Sequence, residues 1–230
     1  MNAKFTVAEL AKMLDHTLLN NHISNLELKA HCDLAKQYGF KTVAINNAAI
    51  DFCAKELKGT DVLVDAAISF PFGQCTIDTK VFETIDAIAK GAGEVDYVVN
   101  LVEIKNGNWE YIENEMSQIV GACKQRNTVS KVIFETCFLT EQEKVKLCEV
   151  ALKVKPTFVK TSTGYGTAGA TVEDVKLMKS IVQDKIKVKA SGGVRTIEDA
   201  LAMIEAGASR IGTSKSCDII EGYKKYCKGV

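Results

Sequence analysis

Two lysines stand at or near the ends of neighbouring apolar runs, Phe158-Val159-Lys160 and Ile186-Lys187-Val188-Lys189-Ala190. The β-branched and aromatic neighbours read as buried strand, where a lysine is costly to place. An amine attacks a carbonyl only after losing its proton. With an ordinary pKa of about 10.4, fewer than about one lysine in a thousand is neutral at pH 7. A nearby cation and partial desolvation both lower that value, and a shift of about three units corresponds to roughly 4 kcal/mol. Lys160 and Lys189 therefore read as an activated amine and the cation that tunes it. Asp96, inside Glu94-Val95-Asp96-Tyr97-Val98-Val99, is a carboxylate placed to act as acid or base. Asp15, in Leu14-Asp15-His16-Thr17, is a further candidate that could equally hydrogen-bond the strand end, and His16 reads as a packed or capping histidine.

Three glycine-rich pieces could hold an anion. They are Thr163-Gly164-Tyr165-Gly166, Ser191-Gly192-Gly193-Val194 and Gly212-Thr213-Ser214-Lys215. Glycines let backbone amides approach an oxyanion, and Ser214, read as opening the last helix, adds amides and a dipole end. Lys215 would bring local positive charge.

The elements that must position these groups follow a rhythm. A short helix spans Thr6 to Met13, with Glu9 in the capping-box position behind Thr6. Strands are then expected at Leu14–Leu19, Lys41–Ile45, Val62–Ile68, Val95–Val99, Lys131–Glu135, Phe158–Lys160, Ile186–Ala190 and Ser209–Gly212. Helices alternate with them at Asn25–Tyr38, Ala48–Lys58, Thr76–Lys90, Trp109–Arg126, Thr140–Lys153, Val172–Val182, Ile197–Ala206 and Ser214–Tyr226. Strands apolar on both faces in strict βα alternation leave an open doubly wound sheet or a closed barrel. Eight units in 230 residues favour a single-domain (β/α)8 TIM barrel over 1–230 with an extra N-terminal helix. In such a barrel the loops after the strands form the active face. Asp15, Asn46, Asp96, Glu135, Lys160, Lys189 and Gly212 all fall at or near strand ends.

Composition narrows the partners. Hydrophobic residues make up 47%, charged residues 25%, and formal net charge is zero, so no global field attracts nucleic acid or an anionic membrane. The start, Met1-Asn2-Ala3-Lys4-Phe5, carries no apolar leader, and no run reaches membrane-spanning length. Eight scattered cysteines without a CxxC pair, and only three histidines, support no zinc site. Free thiols in a reducing cytoplasm are expected.

The motifs together resemble the deoxyribose-phosphate aldolases. The resemblance rests on Phe158-Val159-Lys160-Thr161-Ser162-Thr163-Gly164, Val188-Lys189-Ala190-Ser191-Gly192-Gly193-Val194-Arg195-Thr196, Glu94-Val95-Asp96, Leu14-Asp15-His16-Thr17-Leu18-Leu19, Phe70-Pro71-Phe72-Gly73 and Glu135-Thr136-Cys137-Phe138-Leu139-Thr140, in order along nearly the whole chain. It implies a metal-free, cofactor-free class I aldolase that interconverts 2-deoxy-D-ribose 5-phosphate with D-glyceraldehyde 3-phosphate and acetaldehyde. By position it implies Lys160 as Schiff-base lysine, Lys189 as its tuning neighbour, Asp96 as proton relay and Asp15 as a lesser assistant. Thr163, Gly164, Gly192, Gly193, Gly212, Ser214 and Lys215 would bind the phosphorylated substrate. Tyr165 stands where some members have lysine, and Lys215 where serine is common, so Lys215 could restore that charge. A different Schiff-base aldolase and a non-catalytic sugar-phosphate-binding barrel are the alternatives. The barrel helices could support a homodimer, and the segment Tyr223 to Val230 could fold over the site or fray.

Overall fold

Eight short runs of β-branched and apolar residues become eight parallel strands that pair in sequence order and close on themselves. The computed structural model describes residues 5–228. The strands are β1 Leu14–Leu18, β2 Thr42–Asn46, β3 Leu63–Ile68, β4 Ala92–Val98, β5 Val129–Ile133, β6 Phe158–Lys160, β7 Lys187–Ser191 and β8 Arg210–Thr213. Closure comes from β8 against β1, where Leu14 faces Ile211 and Asp15 faces Gly212. The helices are α1 Val7–Ala11, α2 Asn25–Tyr38, α3 Ile50–Glu56, α4 Ile77–Ala89, α5 Leu101–Lys105, α6 Trp109–Lys124, α7 Glu141–Val154, α8 Val172–Val182, α9 Ile197–Glu205 and α10 Ser216–Lys228. This is the expected (β/α)8 barrel, with α1 as the extra helix. No described helix is long and apolar enough to cross a membrane.

Strand side chains alternate between the two faces. Val43, Ile45, Val64, Ala66, Val95, Tyr97, Val132, Val159, Val188, Ala190 and Ile211 belong to the buried apolar cluster, which lies between barrel and helices. The intervening positions point into the barrel, and many of them are charged. Four helices are held at their starts by reciprocal capping: Thr6 with Glu9, as the sequence suggests, and also Ser24 with Glu27, Thr140 with Glu143 and Thr196 with Asp199.

Local differences from the sequence reading have physical causes. β5 ends at Ile133, because Glu135 adopts a left-handed conformation (φ 56°) that turns the chain out of the sheet. A short additional helix, α5, follows β4; the side chain of Asn100 accepts from the amides of Val102 and Glu103 and starts it. α10 begins at Ser216, leaving Ser214 and Lys215 in a turn. At the other end, Tyr223 is buried; its hydroxyl donates to the Phe5 carbonyl (2.7 Å) and accepts from the Phe5 amide (3.1 Å). Of the two courses left open for the C-terminal segment, covering the site or fraying, Tyr223 to Lys228 take neither and continue α10; Gly229 and Val230 lie outside the described residues.

His16 points outward from β1 and stacks on His31 of α2, ring centroids 3.7 Å apart and 10° between planes. Neither ring nitrogen of His16 has a hydrogen-bond partner among the described residues. Burial pushes His31 down to about 4, and burial together with the His31 charge pushes His16 down to about 3. Unfolded histidines titrate near 6.5, so as pH falls below about 6.5 the unfolded chain binds the extra protons and stability is lost, until the folded values are passed. Each histidine removes up to about 1.4 kcal/mol per pH unit in that window. Other groups titrate there too, and comparison with a His16→Leu variant cancels them. The urea midpoint of the wild-type protein should fall relative to the variant's from pH 7 to pH 4. A difference independent of pH would contradict the assignment.

Candidate active site

The inward positions of adjacent strands bring four basic and four acidic side chains together: Lys131, Lys160, Lys189 and Arg210 with Asp15, Asp65, Glu94 and Asp96. All eight are buried. Lys160 Nζ donates to Asp96 Oδ2 at 2.6 Å. Lys189, the register partner of Lys160 on β7, reaches the same oxygen at 2.6 Å, Asp15 Oδ2 at 2.6 Å and Asp65 Oδ2 at 3.0 Å. Lys131 pairs with Asp65 Oδ1 (2.8 Å), Glu94 Oε2 (2.7 Å) and Asp96 Oδ1 (2.7 Å). Arg210 joins Asp15 (2.7 Å) to Glu94 (2.8 Å), and the Thr42 hydroxyl donates to Asp15 Oδ1 at 2.8 Å.

The three lysines share one chemistry and similar burial, but differ in how many carboxylates touch them. Burial opposes charge on all three. For Lys189 and Lys131, three carboxylates each outweigh burial and raise the ammonium above its usual value. Lys160 touches Asp96 alone. There burial prevails, the Lys189 charge adds to it, and the amine falls below the usual lysine value although Asp96 opposes the shift. Burial would raise Asp96, yet Lys131, Lys160 and Lys189 hold it well below the usual carboxylate range. Asp15 is likewise pushed up by burial but held down by Lys189 and Arg210.

Both causes expected from the sequence, the Lys189 cation and desolvation, act on Lys160, and desolvation is the larger; Asp96 Oδ2 bonds both ammonium groups. Asp15, Asp65 and Glu94 approach within 4.8 Å of one another in a way that could suit a metal, but Lys131, Lys189 and Arg210 already neutralise that space.

Lys160 and Asp96 face a cleft of about 250 Å³ at the C-terminal mouth, lined also by Thr17, Asn20, Asp65, Phe70 and Ser191. Lys189 and Asp15 lie beneath its floor and are not among its lining residues. The expected cradle residues Thr163, Gly164, Gly192, Gly193, Gly212 and Ser214 line the same cleft. Gly192 has φ +82°, and a Cβ there would stand 3.0 Å from Gly169 Cα and 3.3 Å from Gly164 Cα, so glycine lets the loops after β6 and β7 meet. Thr163 is engaged from below: its hydroxyl donates to Glu135 Oε2, its amide donates to Glu135 Oε1 at 3.1 Å, and its hydroxyl oxygen accepts the Tyr165 amide at 3.0 Å. Burial raises the Glu135 carboxyl, against its hydrogen bonds from Thr163 and the Lys160 charge.

One expectation is corrected. Lys215 does not line the cleft; it sits in the exposed turn before α10, and its ammonium pairs with Asp218 at 3.3 Å, one helical turn on. Besides Lys160, Arg195 after β7 lines the cleft, a residue the sequence reading quoted only as part of a motif. Tyr165 reaches across the mouth: its hydroxyl donates to the Leu19 carbonyl at 2.8 Å and its ring meets Phe70 edge-on at 5.5 Å. Lys131, Asp65, Glu94 and Arg210 were also missed as site residues. Their signal was present, since each is a charge inside or bordering an apolar run, and Glu94 lies two residues from Asp96, hence on the same strand face.

A (β/α)8 barrel with a buried, carboxylate-bound amine at the floor of its mouth has the build of an enzyme. The chain belongs to the DeoC/LacD family of aldolases, matching it over residues 10–221. It is 52% identical over 221 residues to the deoxyribose-phosphate aldolase of Lactobacillus acidophilus, covering 96% of this chain and 93% of that protein. It is 48% identical over 221 residues to the enzyme of the same name from Caldanaerobacter subterraneus, covering 96% of each. Among solved structures it resembles the tetrameric deoxyribose phosphate aldolase of Aeropyrum pernix, with a TM-score of 0.89, 29% identity, and 96% and 93% of the two chains covered.

Gly212 has a second part in this arrangement. A Cβ there would stand 3.1 Å from Lys189 Cε and 3.0 Å from Ser191 Cβ, so its missing side chain makes room for the Lys189 stem. Gly212→Ala should displace Lys189 from Asp96, with a stability loss of about 1–3 kcal/mol from overpacking and a fall in aldolase turnover of about tenfold or more. Urea unfolding and a steady-state assay check both. Turnover unchanged at full stability would show that Lys189 has room to spare.

Proposed function

We propose that the chain is a class I, Schiff-base aldolase that reversibly cleaves 2-deoxy-D-ribose 5-phosphate into D-glyceraldehyde 3-phosphate and acetaldehyde, acting as one domain over residues 1–230. The observation that carries this is the single carboxylate contact of buried Lys160, the one lysine of the barrel's charge network whose amine is lowered and which faces the cleft; buried Lys80, paired with Glu115, is lowered too but does not line it. The names of the relatives at about half identity support the substrate.

In the cleavage direction the neutral amine of Lys160 attacks the C1 aldehyde of the open-chain sugar, and loss of water from the carbinolamine leaves a protonated imine. The imine draws electrons, so removal of the C3 hydroxyl proton breaks the C2–C3 bond. Carbons 3 to 5 leave as the three-carbon aldehyde phosphate, and carbons 1 and 2 remain as an enamine on Lys160. Protonation at C2 and hydrolysis then release acetaldehyde and restore the amine. Asp96, in contact with both Lys160 and Lys189, is the group placed to exchange protons in these steps. Lys189 and, through it, Asp15 keep Asp96 in its charge state and position. Gly164, Gly192, Gly193 and Ser214 take the phosphate, with Arg195 as the cation and Thr163 holding the loop through Glu135.

Acetaldehyde with borohydride should leave an ethyl group on Lys160, read by peptide mass, and Lys160→Leu should lose both adduct and turnover by at least about a thousandfold while remaining folded. Absence of the adduct from active wild-type enzyme, or its presence on another lysine, would contradict the mechanism.

A further inference from the structure

The mechanism above uses Lys160, Asp96 and Lys189, with Asp15 behind them. It leaves one carboxylate of the cleft without a task. Asp65 lies on β3, 1% exposed, and lines the cleft together with Lys160 and Asp96. One of its oxygens is 3.0 Å from Lys189 and the other 2.8 Å from Lys131. Lys189 in turn holds Asp96, and Asp96 holds Lys160, so Asp65 stands at the far end of an unbroken path from the reactive amine: Asp65, Lys189, Asp96, Lys160. Ala44, its register partner on β2, contributes no charge.

Formal charge makes its position consequential. With all eight side chains ionised, the four cations and four carboxylates balance. Loss of the Lys160 proton leaves one negative charge in excess inside the barrel. A proton on one carboxylate restores the balance. Asp96 and Asp15 are unsuited to hold it, because their cations keep both well below the usual carboxylate range. Asp65 differs. Burial raises it and the Asp96 charge raises it further, against Lys131 and Lys189, bringing it to about 6.

We infer that Asp65 is a positioning residue that sets the proton occupancy of Lys160: its charged form holds the proton on the amine, and its neutral form releases the amine for attack. This rests on the Schiff-base reading above. The proton balance is internal: Lys160 passes its proton to Asp96 Oδ2, Lys189 passes one of its own to Asp65 Oδ2, and Lys189 is restored by the proton that Asp96 received. The net change is a neutral Lys160 and a neutral Asp65. The groups facing Asp65 are Lys131 on β5, Lys160 on β6, Lys189 on β7, Asp96 and Glu94 on β4, and Asp15 on β1.

The test is the pH dependence of Lys160 alkylation by acetaldehyde and cyanoborohydride, in wild type, Asp65→Asn and Asp65→Ala, with urea unfolding of each. Without the Asp65 charge, the acid limb of the alkylation rate should move to lower pH by about one unit, a tenfold gain in rate on that limb. A rate lowered equally at all pH values, with the limb unmoved, would show a structural role only and overturn the inference. If both variants unfold, carbon-13 NMR of aspartate carboxyls in the wild-type enzyme decides. The inference requires one buried carboxyl that titrates at the midpoint of the wild-type acid limb, and absence of any aspartate titrating above pH 5 overturns it. Failure of wild-type Lys160 to become alkylated at any pH would instead remove the Schiff-base reading itself.

Discussion

The structure depends on a charge network where a barrel of this kind would ordinarily hold branched apolar side chains. Lys131, Lys160, Lys189 and Arg210 meet Asp15, Asp65, Glu94 and Asp96 with little or no solvent contact. Each ion loses several kcal/mol of hydration on burial, and only its neighbours compensate. Removing one member therefore leaves the buried charges out of balance, and removing Asp96 leaves Lys160 without a carboxylate partner. The network is a weak source of net stability; the apolar shell between strands and helices supplies that. What the network provides is a fixed set of cations, and one place where that set can change.

That place follows from counting partners. Lys131 and Lys189 each sit among three carboxylates and stay charged. Lys160, at the floor of the mouth, has only Asp96 and opens on the cleft. The same ammonium group is thus stabilised or destabilised by its number of anionic neighbours, with burial nearly constant. The glycines complete this geometry. Gly212 leaves space for the Lys189 stem, and Gly192 lets two loops approach closely enough to form the far wall.

Much of this was legible in the sequence, for identifiable reasons. The βα rhythm is carried by strands apolar on both faces and by helix starts such as Thr6 and Thr140, and neither signal needs tertiary information. Lys160, Lys189 and Asp96 stood out because each is a charge at or near the end of an apolar run. Lys131, Asp65 and Arg210 are buried as well. Their partners come from strands far apart in sequence: Lys189 and Asp65 are 124 residues apart, and Arg210 and Asp15 are 195. Register across the closed sheet decides those pairings, and a single sequence does not contain it. The choice between Lys215 and Arg195 failed for a more local reason. The last helix starts two residues later than the pattern suggested, which put Lys215 in a turn beside Asp218 and left the cleft to Arg195.

The central claim is that burial with a single carboxylate partner lowers the Lys160 amine while its two buried neighbours remain charged. Lysine carbon-13 ε NMR across a pH titration measures this directly, with the Lys160 signal assigned by its loss in Lys160→Leu. The account predicts that Lys160 titrates below the ordinary lysine value of 10.5 and that Lys131 and Lys189 titrate above it. Lys160 titrating at or above that value, alongside its neighbours, would contradict it.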